Sequence, residues 1–544
     1  MLESISEYLT PEHTRQTLAV LRWAFYVAIV VLILRTAFHF APYRVGHRVR
    51  LMLFPMLFAA GTVYALIRQA EWQLAGYTRP EFVRFMERYN PRPDNAAHHL
   101  IRGSILDRNG EPLAFTKTDG SGVRVYPYDM AAVHAVGYRH PKEGLTGMES
   151  AADATLSGYR QLLSWSDVRE AARTALRETR QIGTNVTLTL DARLQMRAFS
   201  LLRGRRGAAV ALDPKTGEVL LLCSSPAFDP NHFDRRLNSN PDSPLYNRAL
   251  RGLYPAGSTF KTAIAALMVE RGAPLRLDCP ADGYWPPKAR RPIRDHEYYS
   301  WEKRGQRWPG FGTLDLDTAL AKSSNTYFAH GGVLCGTEPF NALVERLRIN
   351  EPVILYSNGV SRLVSNPGSV PKLGRNDVLE LSQLSIGQGR LQVTPLHMAM
   401  IAASLANGGT MMAPHLSADE PPAVLSRPFS ARTAARVAAA MRNVVQHGTA
   451  RQIDLPGREV CGKTGTAQNP GGEDHAWFLC FAPASDPQIA VAVIVENAGF
   501  GSAHALPVAK GILEEFFRNR EADAAARNAS AQRPPATAQP PPVP

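Results

Sequence analysis

The stretch from Tyr254 to Lys261 joins a turn to a helix and so fixes where one serine must lie. Pro255 and Gly257 are turn residues, and beyond them apolar residues recur at helical spacing. Ser258 is therefore expected at the start of a helix, with Lys261 one turn further along the same face. A hydroxyl at that place faces the positive end of the helix, and a lysine within reach can take its proton. The pattern predicts an activated serine nucleophile.

The Ser-x-x-Lys pattern is weak when it stands alone. A chain of ordinary composition contains roughly two or three matches by chance, and the pattern recurs here at Ser300–Lys303 and Ser369–Lys372. Serine is also a common helix cap without any catalytic role. The assignment of Ser258 therefore depends on the rest of the chain.

Composition narrows the class of protein. A chain of 544 residues can form about two to four domains, and its 45% hydrophobic and 20% charged residues are typical of a folded protein. The net charge of +13 favours an anionic partner. The basic residues are scattered or flank apolar runs and show no nucleic-acid-binding signature. We interpret the positive charge as coming from residues that orient the membrane segments and from a basic surface.

The five cysteines form no C-x-x-C pair and predict neither a metal site nor a clear disulfide framework.

Two apolar runs near the N-terminus predict membrane helices at residues 18–38 and 51–67. Arginines lie between the runs and glutamates precede the first, which places the connecting loop in the cytoplasm and the chain after Arg68 outside. No small-residue cleavage site follows the first run, which argues against a removed signal peptide. The alternative is a single-pass protein with an interfacial helix at the first run.

Changes of character along the chain predict four parts. They are a membrane anchor (1–68), a small α+β module (69–184), a larger domain (185–520) and a disordered Ala/Pro-rich tail (521–544). A hairpin is expected at Asn109-Gly110 in the small module, and a helix near residues 166–180. In the larger domain, the pattern predicts a hairpin of strands 208–212 and 218–222, a helix between Ser430 and Gly448, and strands 475–481 and 489–496.

Three short motifs stand in order, namely Ser258-x-x-Lys261, Ser323-Ser-Asn325 and Lys463-Thr-Gly465. Serine acyl transfer by this route needs a nucleophile beside a lysine, a second hydroxyl, an amide that holds the substrate, and a cationic strand edge for a carboxylate. Lys215-Thr-Gly217 matches the third motif in letters but lies in a hairpin turn before the nucleophile. Chance rarely supplies three motifs in order and in suitable local structure, so the pattern favours catalysis.

With these motifs the chain resembles the class B penicillin-binding proteins, the monofunctional peptidoglycan transpeptidases, from Arg102 to about Phe517. Further stretches similar to that family are Asp107-Arg-Asn-Gly110, Asn247-Arg-Ala-Leu250, Gly387-Gln-Gly389, Thr394-Pro-Leu396 and His475-Ala-Trp-Phe478. The chain departs from the family at Pro255-Ala-Gly257, at Gly310-Phe-Gly312 and in having two predicted spans. The resemblance implies an α/β (α+β) serine transpeptidase fold. This fold has an antiparallel sheet flanked by helices and a helical subdomain, preceded by a pedestal module and membrane helices.

Carried over by position, the resemblance implies a role for each motif residue. Ser258 attacks the carbonyl between two D-alanines of a stem peptide, and Lys261 is its general base. Ser323 relays the proton toward the leaving D-alanine, and Asn325 orients the donor amide. An amine of a neighbouring stem then resolves the acyl-enzyme and forms a crosslink, with no metal or cofactor required.

The strand motif is expected to bind the substrate. The resemblance implies that Lys463, Thr464, Gly465 and Thr466 receive the terminal carboxylate, and that the backbone N–H groups of Ser258 and Thr466 form the oxyanion hole. It further implies inhibition by β-lactams and a catalytic domain on the outer face of a bacterial cell membrane. About 120 residues before the transpeptidase domain are too few for a glycosyltransferase domain. A polytopic membrane glycosyltransferase is therefore the expected partner.

Several alternatives stay open at this stage. A serine β-lactamase shares the motifs, but the nearest match to its deacylating carboxylate motif, Glu345–Asn350, has the wrong spacing. A β-lactam sensor would need a large cytoplasmic domain or a broken motif. Transpeptidation and D,D-carboxypeptidase trimming are not separated, and neither are division and elongation roles. We interpret His475 as structural, and Cys461 and Cys480 as buried free thiols on neighbouring strands.

Overall fold

The computed structural model describes residues 100–119, 121–140, 142–158, 181–359, 361–469 and 471–531, together with 58–69 and positions 23, 27, 31 and 35. The chain divides into two units, Met1–Pro93 with Pro141–Leu145, and Asp94–His140 with Thr146–Pro544. In the first unit, residues 58–69 are helical. Among the described residues, no helix combines the length and the apolar character needed to cross a membrane. Most of the predicted span 18–38 and residues 51–57 of the second lie outside the described residues.

The secondary structure follows in chain order. The strands are β1 (Leu100–Ile101), β2 (Ile105–Leu106), β3 (Pro112–Thr116), β4 (Arg124–Val125), β5 (Arg139–His140), β6 (Gly144–Leu145), β7 (Gln181–Ile182), β8 (Val186–Thr187), β9 (Gly207–Leu212), β10 (Val219–Ser225), β11 (Arg276–Cys279), β12 (Gly312–Asp315), β13 (Ile354–Ser357), β14 (Arg362–Val364), β15 (Met411–Met412), β16 (Val424–Ser426), β17 (Cys461–Ala467), β18 (His475–Ala482) and β19 (Ile489–Val495). The helices are α1 (Asp129–Val136), α2 (Gly147–Ala151), α3 (Asp153–Leu156), α4 (Ala192–Leu202), α5 (Arg248–Arg251), α6 (Lys261–Glu270), α7 (His296–Glu302), α8 (Leu316–Lys322), α9 (Asn325–Cys335), α10 (Thr337–Arg346), α11 (Val378–Leu384), α12 (Pro395–Ala406), α13 (Ala431–His447) and α14 (Gly501–Ala531). Short 3-10 turns lie at Arg235–Ser239, Gly257–Thr259 and Arg451–Ile453.

A five-stranded antiparallel sheet organises the larger part of the second unit. Its strand order is β10-β9-β19-β18-β17, so β17 lies at one edge. Strands β9, β10 and β19 are buried along their whole length, because helices cover both faces and every side chain is apolar or small. The predicted hairpin and the two late strands are therefore confirmed, as is the edge position of the Lys463 strand.

Helices pack on both faces of this sheet. Helices α4 and α14 contact each other and one face, while α12 and α13 contact each other and the opposite face. Ser430 caps α13 by accepting a hydrogen bond from Thr433 N, and the helix ends before Gly448, as the sequence predicts. A helical region of α6, α8, α9, α10 and α11 packs beside α13 and supplies the other wall of the site.

The small module contains a four-stranded sheet of order β4-β3-β2-β8. The hairpin between β2 and β3 turns at Gly110, whose φ is +87°, as Asn109-Gly110 predicts. Strand β8 runs parallel to β2, so this sheet extends past the predicted boundary at residue 184. The predicted helix near residues 166–180 lies outside the described residues.

The C-terminal helix is longer than the sequence suggests. Helix α14 continues to Ala531, so the prediction of a disordered tail from Glu521 is wrong for residues 521–531. Two ion pairs hold this end against the domain: Arg193 binds the Asp523 carboxylate at 2.8 Å, and Arg458 pairs with Glu521. Composition alone does not reveal such contacts between distant residues. Residues 532–544 lie outside the described part.

Candidate active site

Ser258 lies in the 3-10 turn Gly257–Thr259, and α6 begins at Lys261. The serine therefore precedes the α-helix instead of starting it, because Phe260 N donates to Gly257 O at 3.1 Å and closes a tighter turn. Gly257 has φ +54°, which favours glycine. The serine is half-buried, and the helix that follows is buried along most of its length. The turn and the helix predicted around Ser258 are both present.

This turn packs directly on the edge strand β17. A side chain at Gly257 would come within 2.5 Å of Thr466 O, and one at Gly465 within 2.8 Å of Thr259 Cγ2. Both glycines are thus required for the close approach of two backbones. Trp477 Nε1 also donates to Pro255 O at 3.0 Å from the neighbouring strand. The structure therefore brings Ser258 beside the Gly465–Thr466 edge.

The loop before α12 supports the turn from behind. Gly257 N donates to Gly387 O at 2.9 Å, and a side chain at Gly387 would lie 1.9 Å from Gly257 O. Tyr254 and Val393 exchange two backbone hydrogen bonds of 2.9 and 3.0 Å. These contacts give Gly387, and Val393 just before the stretch Thr394–Leu396, a physical role, because they hold the Ser258 turn in place.

The two motif lysines are completely buried and meet at Ser323. Lys261 Nζ donates to Ser323 O at 2.6 Å, to Asn325 Oδ1 at 2.7 Å and to Ser323 Oγ at 3.4 Å. Lys463 Nζ donates to Ser323 Oγ and to Thr464 O, both at 2.8 Å. Residues that lie far apart in the sequence thus share one hydrogen-bond network. All three motifs converge as the sequence predicts.

Burial decides the charge of these amines. Burial lowers the pKa of Lys261 to about 7, and the nearby carboxylates of Asp295 and Glu297 offset this only in part. Burial also lowers the pKa of Lys463 well below its ordinary value, and the proximity of Lys261 lowers it further. Near neutral pH, a substantial fraction of Lys261 is therefore an uncharged amine that can accept a proton.

Ser323 occupies an unusual backbone conformation. It ends α8 with φ +57°, in the left-handed region that a non-glycine residue adopts only at a cost of about 1–3 kcal/mol. This conformation turns the chain sharply between α8 and α9. It allows Ser323 O and Ser323 Oγ both to face Lys261. The strain therefore coincides with the contact between the first and second motifs.

Two residues that sequence reasoning missed hold Asn325. The buried Asp295 carboxylate accepts hydrogen bonds from Asn325 N at 2.5 Å, Thr326 N at 3.1 Å and Ser324 Oγ at 2.9 Å, and so caps α9. Arg294 O accepts from Asn325 Nδ2 at 2.9 Å. A cap supplied from thirty residues upstream leaves no local pattern. The only available signal was an acidic residue in an arginine-rich loop.

Thr449 is a third missed residue. Its hydroxyl and that of Thr464 lie 2.6 Å apart, which links the loop after α13 to the strand motif. Thr464 is 8% exposed, while Thr466 is half-buried and accessible. The strand motif thus presents Thr466 to the site, with Lys463 and Thr464 behind it.

The other pattern matches lie elsewhere. Ser300 lies in the exposed helix α7, and Lys303 is the residue that caps the C-terminal end of this helix. Lys215 lies in the β9–β10 turn, is half-exposed and pairs with Asp486. His475 Nδ1 accepts from Asn497 N at 3.1 Å at the start of β18. Among the described residues, no group of three His, Cys, Asp or Glu side chains is arranged to hold a metal ion.

All five cysteines are buried and free. Cys461 lies on β17 and Cys480 on β18, and these strands are paired in the sheet. The prediction of buried free thiols on neighbouring strands is confirmed. None of the five takes part in the hydrogen-bond network of Lys261 and Lys463.

Comparison with known proteins identifies the family to which this architecture belongs. The family described as penicillin binding protein transpeptidase domain matches residues 207–514, and the penicillin binding protein A dimerisation domain matches residues 102–186. The chain is 31% identical over 458 residues to the peptidoglycan D,D-transpeptidase PbpA of Mycolicibacterium smegmatis, covering 77% of this chain and 89% of that relative. It is 33% identical over 380 residues to the peptidoglycan D,D-transpeptidase MrdA of Acinetobacter baumannii, covering 62% of this chain but only 55% of that relative.

Solved structures agree with the sequence matches. A ceftriaxone acyl-enzyme complex of penicillin-binding protein A from M. tuberculosis has a TM-score of 0.68 at 27% identity, covering 77% of this chain and 99% of that one. Pseudomonas aeruginosa PBP2 has a TM-score of 0.64 at 32% identity, covering 77% and 95%. The fold is therefore that of the penicillin-binding transpeptidases. The chain belongs to the penicillin-binding protein transpeptidase family, and the resemblance seen in its motifs is confirmed.

Proposed function

We propose that Ser258 is the nucleophile of this peptidoglycan D,D-transpeptidase and that Lys261 is its general base. One observation carries the proposal. Lys261 is completely buried, its pKa lies near 7, and it donates hydrogen bonds to the second motif. It follows one turn after Ser258, whose own turn packs on the third motif. Groups with strongly perturbed pKa values cluster at functional sites, and a buried amine of this kind is suited to act as a base.

The hydrogen bonds of Lys261 suit a base. An uncharged amine has two N–H groups and one lone pair. The two closest acceptors, Ser323 O and Asn325 Oδ1 at 2.6 and 2.7 Å, engage both N–H groups. The lone pair remains available to take the proton of Ser258 Oγ as that oxygen attacks the carbonyl between the two D-alanines of the donor. A base of this kind accelerates the reaction about 10²–10⁴-fold.

Ser323 is placed to pass the proton from Lys261 to the leaving amine. Its hydroxyl lies 3.4 Å from Lys261 Nζ and 2.8 Å from Lys463 Nζ, so it lies between the two amines. The C–N bond between the D-alanines breaks in this step, and the leaving amine takes a proton by way of Ser323. Asn325, fixed by Asp295 and Arg294, positions the donor amide.

The edge of strand β17 suits the terminal carboxylate of the donor peptide. Lys463 is buried, and a carboxylate that binds near it favours its protonated form, so the positive charge develops with the substrate. Thr466 is the accessible residue of this edge, with Thr464 and Gly465 buried beside it, and these three residues are proposed to receive the terminal carboxylate. Backbone N–H groups of Ser258 and Thr466 are the proposed oxyanion hole, each worth roughly 3 kcal/mol. The amine of a neighbouring stem then displaces Ser258 Oγ and forms the crosslink.

The remaining assignments concern the setting of the enzyme. We place the anchor at residues 1–68, the pedestal at 69–184 and the transpeptidase domain at 185–520, with membrane helices at 18–38 and 51–67. The catalytic domain then lies on the outer face of the cell membrane. Glycan polymerisation comes from a separate membrane glycosyltransferase. The alternation of apolar and arginine-rich segments supports this arrangement.

A labelled penicillin tests the proposal on the full chain in detergent. We expect a denaturant-stable adduct in the wild type and none in Ser258→Ala, because the acyl bond forms only at that oxygen. Ser300→Ala, in the exposed Ser-x-x-Lys match, is the control and should label normally. Labelling that survives in Ser258→Ala would overturn the assignment, and rapid release of hydrolysed penicillin would indicate a β-lactamase.

A further inference from the structure

A segment rich in aromatic and basic residues borders the site, and its exposed aromatic and basic side chains take no part in the proposed chemistry. This aromatic-basic segment, residues 284–308, contains seven Lys or Arg against three Asp or Glu, and six Tyr or Trp. It consists of a hairpin followed by α7. The hairpin is closed by two backbone hydrogen bonds between Tyr284 and Ile293, of 2.8 and 2.9 Å.

The segment is fixed to the site at its middle. Arg294 and Asp295, which lie between the hairpin and α7, bind Asn325 through the backbone and the carboxylate respectively. On the far side, His296 contacts the Phe500 ring edge-on, with 5.4 Å between centroids. A side chain at the next residue, Gly501, would lie 2.4 Å from Gly465 O. The aromatic-basic segment thus reaches from the second motif to the strand motif.

Much of the aromatic-basic segment is exposed. Helix α7 contains no buried residue although it carries three aromatic side chains. Trp285 is 52% exposed, Tyr299 is 47% exposed and Phe500 is 54% exposed. Tyr299 contacts Tyr298 edge-on, as Phe500 contacts His296, so exposed rings cluster along α7. Exposed rings clustered in this way mark a binding surface, because apolar area gains nothing from contact with water.

Five of the seven basic residues form two contrasting sets. Arg294 and Arg304 stack on Tyr298 and Trp301, at 4.0 and 5.5 Å from the ring centroids. The cations of the hairpin are different: they are exposed and, within the part of the chain that the structure describes, make no ion pair. They are Lys288, Arg290 and Arg291.

We infer that the aromatic-basic segment binds a peptidoglycan strand, holding its anionic stem peptides and sugar rings outside the catalytic cleft. The inference rests on the proposed function, which brings such a strand to Ser258. Charge complementarity selects this occupant, since stem peptides carry free carboxylates that match the unpaired hairpin cations. The sugar rings have apolar faces that can pack on exposed Trp and Tyr rings. The enzyme would thus recognise polymer beyond the scissile dipeptide.

Co-sedimentation with purified peptidoglycan tests the inference on the full chain in detergent, in a Ser258→Ala background. We expect the triple variant Lys288→Gln, Arg290→Gln, Arg291→Gln to bind about five- to tenfold more weakly, and the double variant Trp285→Ala, Tyr299→Ala by a similar factor. Raising the salt from about 50 to 300 mM should weaken wild-type binding and affect the triple variant less.

The matched control removes the same charge elsewhere. Lys117→Gln, Arg203→Gln, Arg375→Gln neutralises three exposed cations outside the segment and should leave binding unchanged. Equal losses of peptidoglycan binding in the hairpin variant and the control variant would mean that only the net charge of the protein matters. That result would overturn the inference. Unchanged binding in the hairpin and aromatic variants would also overturn it, and would point to a protein or lipid surface as the occupant.

The penicillin adduct separates this inference from the proposed function. With Ser258 restored, the hairpin and aromatic variants should form the adduct at the wild-type rate, because penicillin does not reach the segment. Slower adduct formation would mean that the segment only supports Asn325, which contradicts the inference. Peptidoglycan binding itself needs no chemistry, so it can fail while the assignment of Ser258 stands.

Discussion

Two clusters of buried charge in the described part of this protein are built in opposite ways. In the small module, Glu149 is 0% exposed and binds two arginines, Arg102 and Arg124, each at 2.7 Å. In the candidate active site, Lys261 and Lys463 are also 0% exposed, yet both have the same sign and no ion pair with any described residue. In the first group, where Arg102 also pairs with Asp153, opposite charges are matched, and in the second group they are not.

The difference appears in the pKa values. Burial alone would raise the pKa of Glu149, but the two arginines more than offset it, and the carboxyl is held below its ordinary range. This cluster stays charged and ties the β1–β2 loop, β4 and α2 together. The lysines lack such partners, so burial lowers their pKa values and leaves them able to exchange protons. Paired burial makes a structural element, and unpaired burial makes a reactive one.

The largest expected effect comes from removing the reactive amine. We expect Lys261→Met to slow penicillin acylation by about 10²–10⁴-fold, because the base is lost. The same substitution should raise the unfolding free energy at pH 7 by about 1–2 kcal/mol. The lysine is protonated in the unfolded chain, so folding must either remove this proton or bury the charge, and methionine avoids that cost. Acylation kinetics and urea unfolding on the same samples measure both.

The sign of the stability effect can be checked with pH. The pKa of Lys261 is about 7 in the folded chain and near 10.5 when unfolded, so the unfolded state binds more protons between these values. The advantage of Lys261→Met should therefore shrink as the pH rises from 7 toward 10. A variant that is less stable than the wild type at pH 7 would contradict the contrast drawn between the two clusters.

Breaking the matched cluster should have the opposite outcome. We expect Glu149→Gln to lower the unfolding free energy by about 3–5 kcal/mol, because it leaves two buried guanidinium groups without their shared carboxylate. Thermal unfolding measures the loss. Asp317→Asn is the control, since its 2.6 Å pair with Arg436 is partly exposed and should contribute no more than about 1 kcal/mol. Similar losses in the two variants would refute the special role of burial.

The smallest effect concerns the pH dependence of acylation. The rate should fall roughly tenfold per pH unit below about 7, because Lys261 must be uncharged to act as a base. The carboxylate of Glu297 raises the pKa of Lys261, so Glu297→Gln should move this limb to lower pH. Stopped-flow acylation with a chromogenic β-lactam measures the midpoint. A midpoint that moves to higher pH would show that Glu297 acts in another way.

The sequence predicted the residues of the site better than their arrangement. Ser258, Lys261, Ser323, Asn325 and Lys463 carry local signals, because each needs its own turn, helix start or strand edge. The structure brings all of them together. The antiparallel sheet could also be predicted, since alternating and continuous apolar runs mark its strands.

Contacts between distant segments could not be predicted. Asp295 caps a helix from thirty residues away, Thr449 reaches Thr464 across a loop, and Gly387 supports Gly257 from another domain segment. None of these leaves a periodic pattern in the sequence. The same reason explains the error at the C-terminus, where an ion pair between Arg193 and Asp523 accompanies a helix that composition assigned to disorder.

The five buried thiols have a consequence for how the chain must mature. Burial raises the pKa of Cys223 and Cys461 to about 12 and that of Cys279 and Cys335 to about 11, so the folded protein contains almost no thiolate to react with oxidants. An unfolded chain exposes all five, and an odd number always leaves one thiol to exchange with wrong partners. In an oxidising compartment, correct folding therefore has to be faster than disulfide formation.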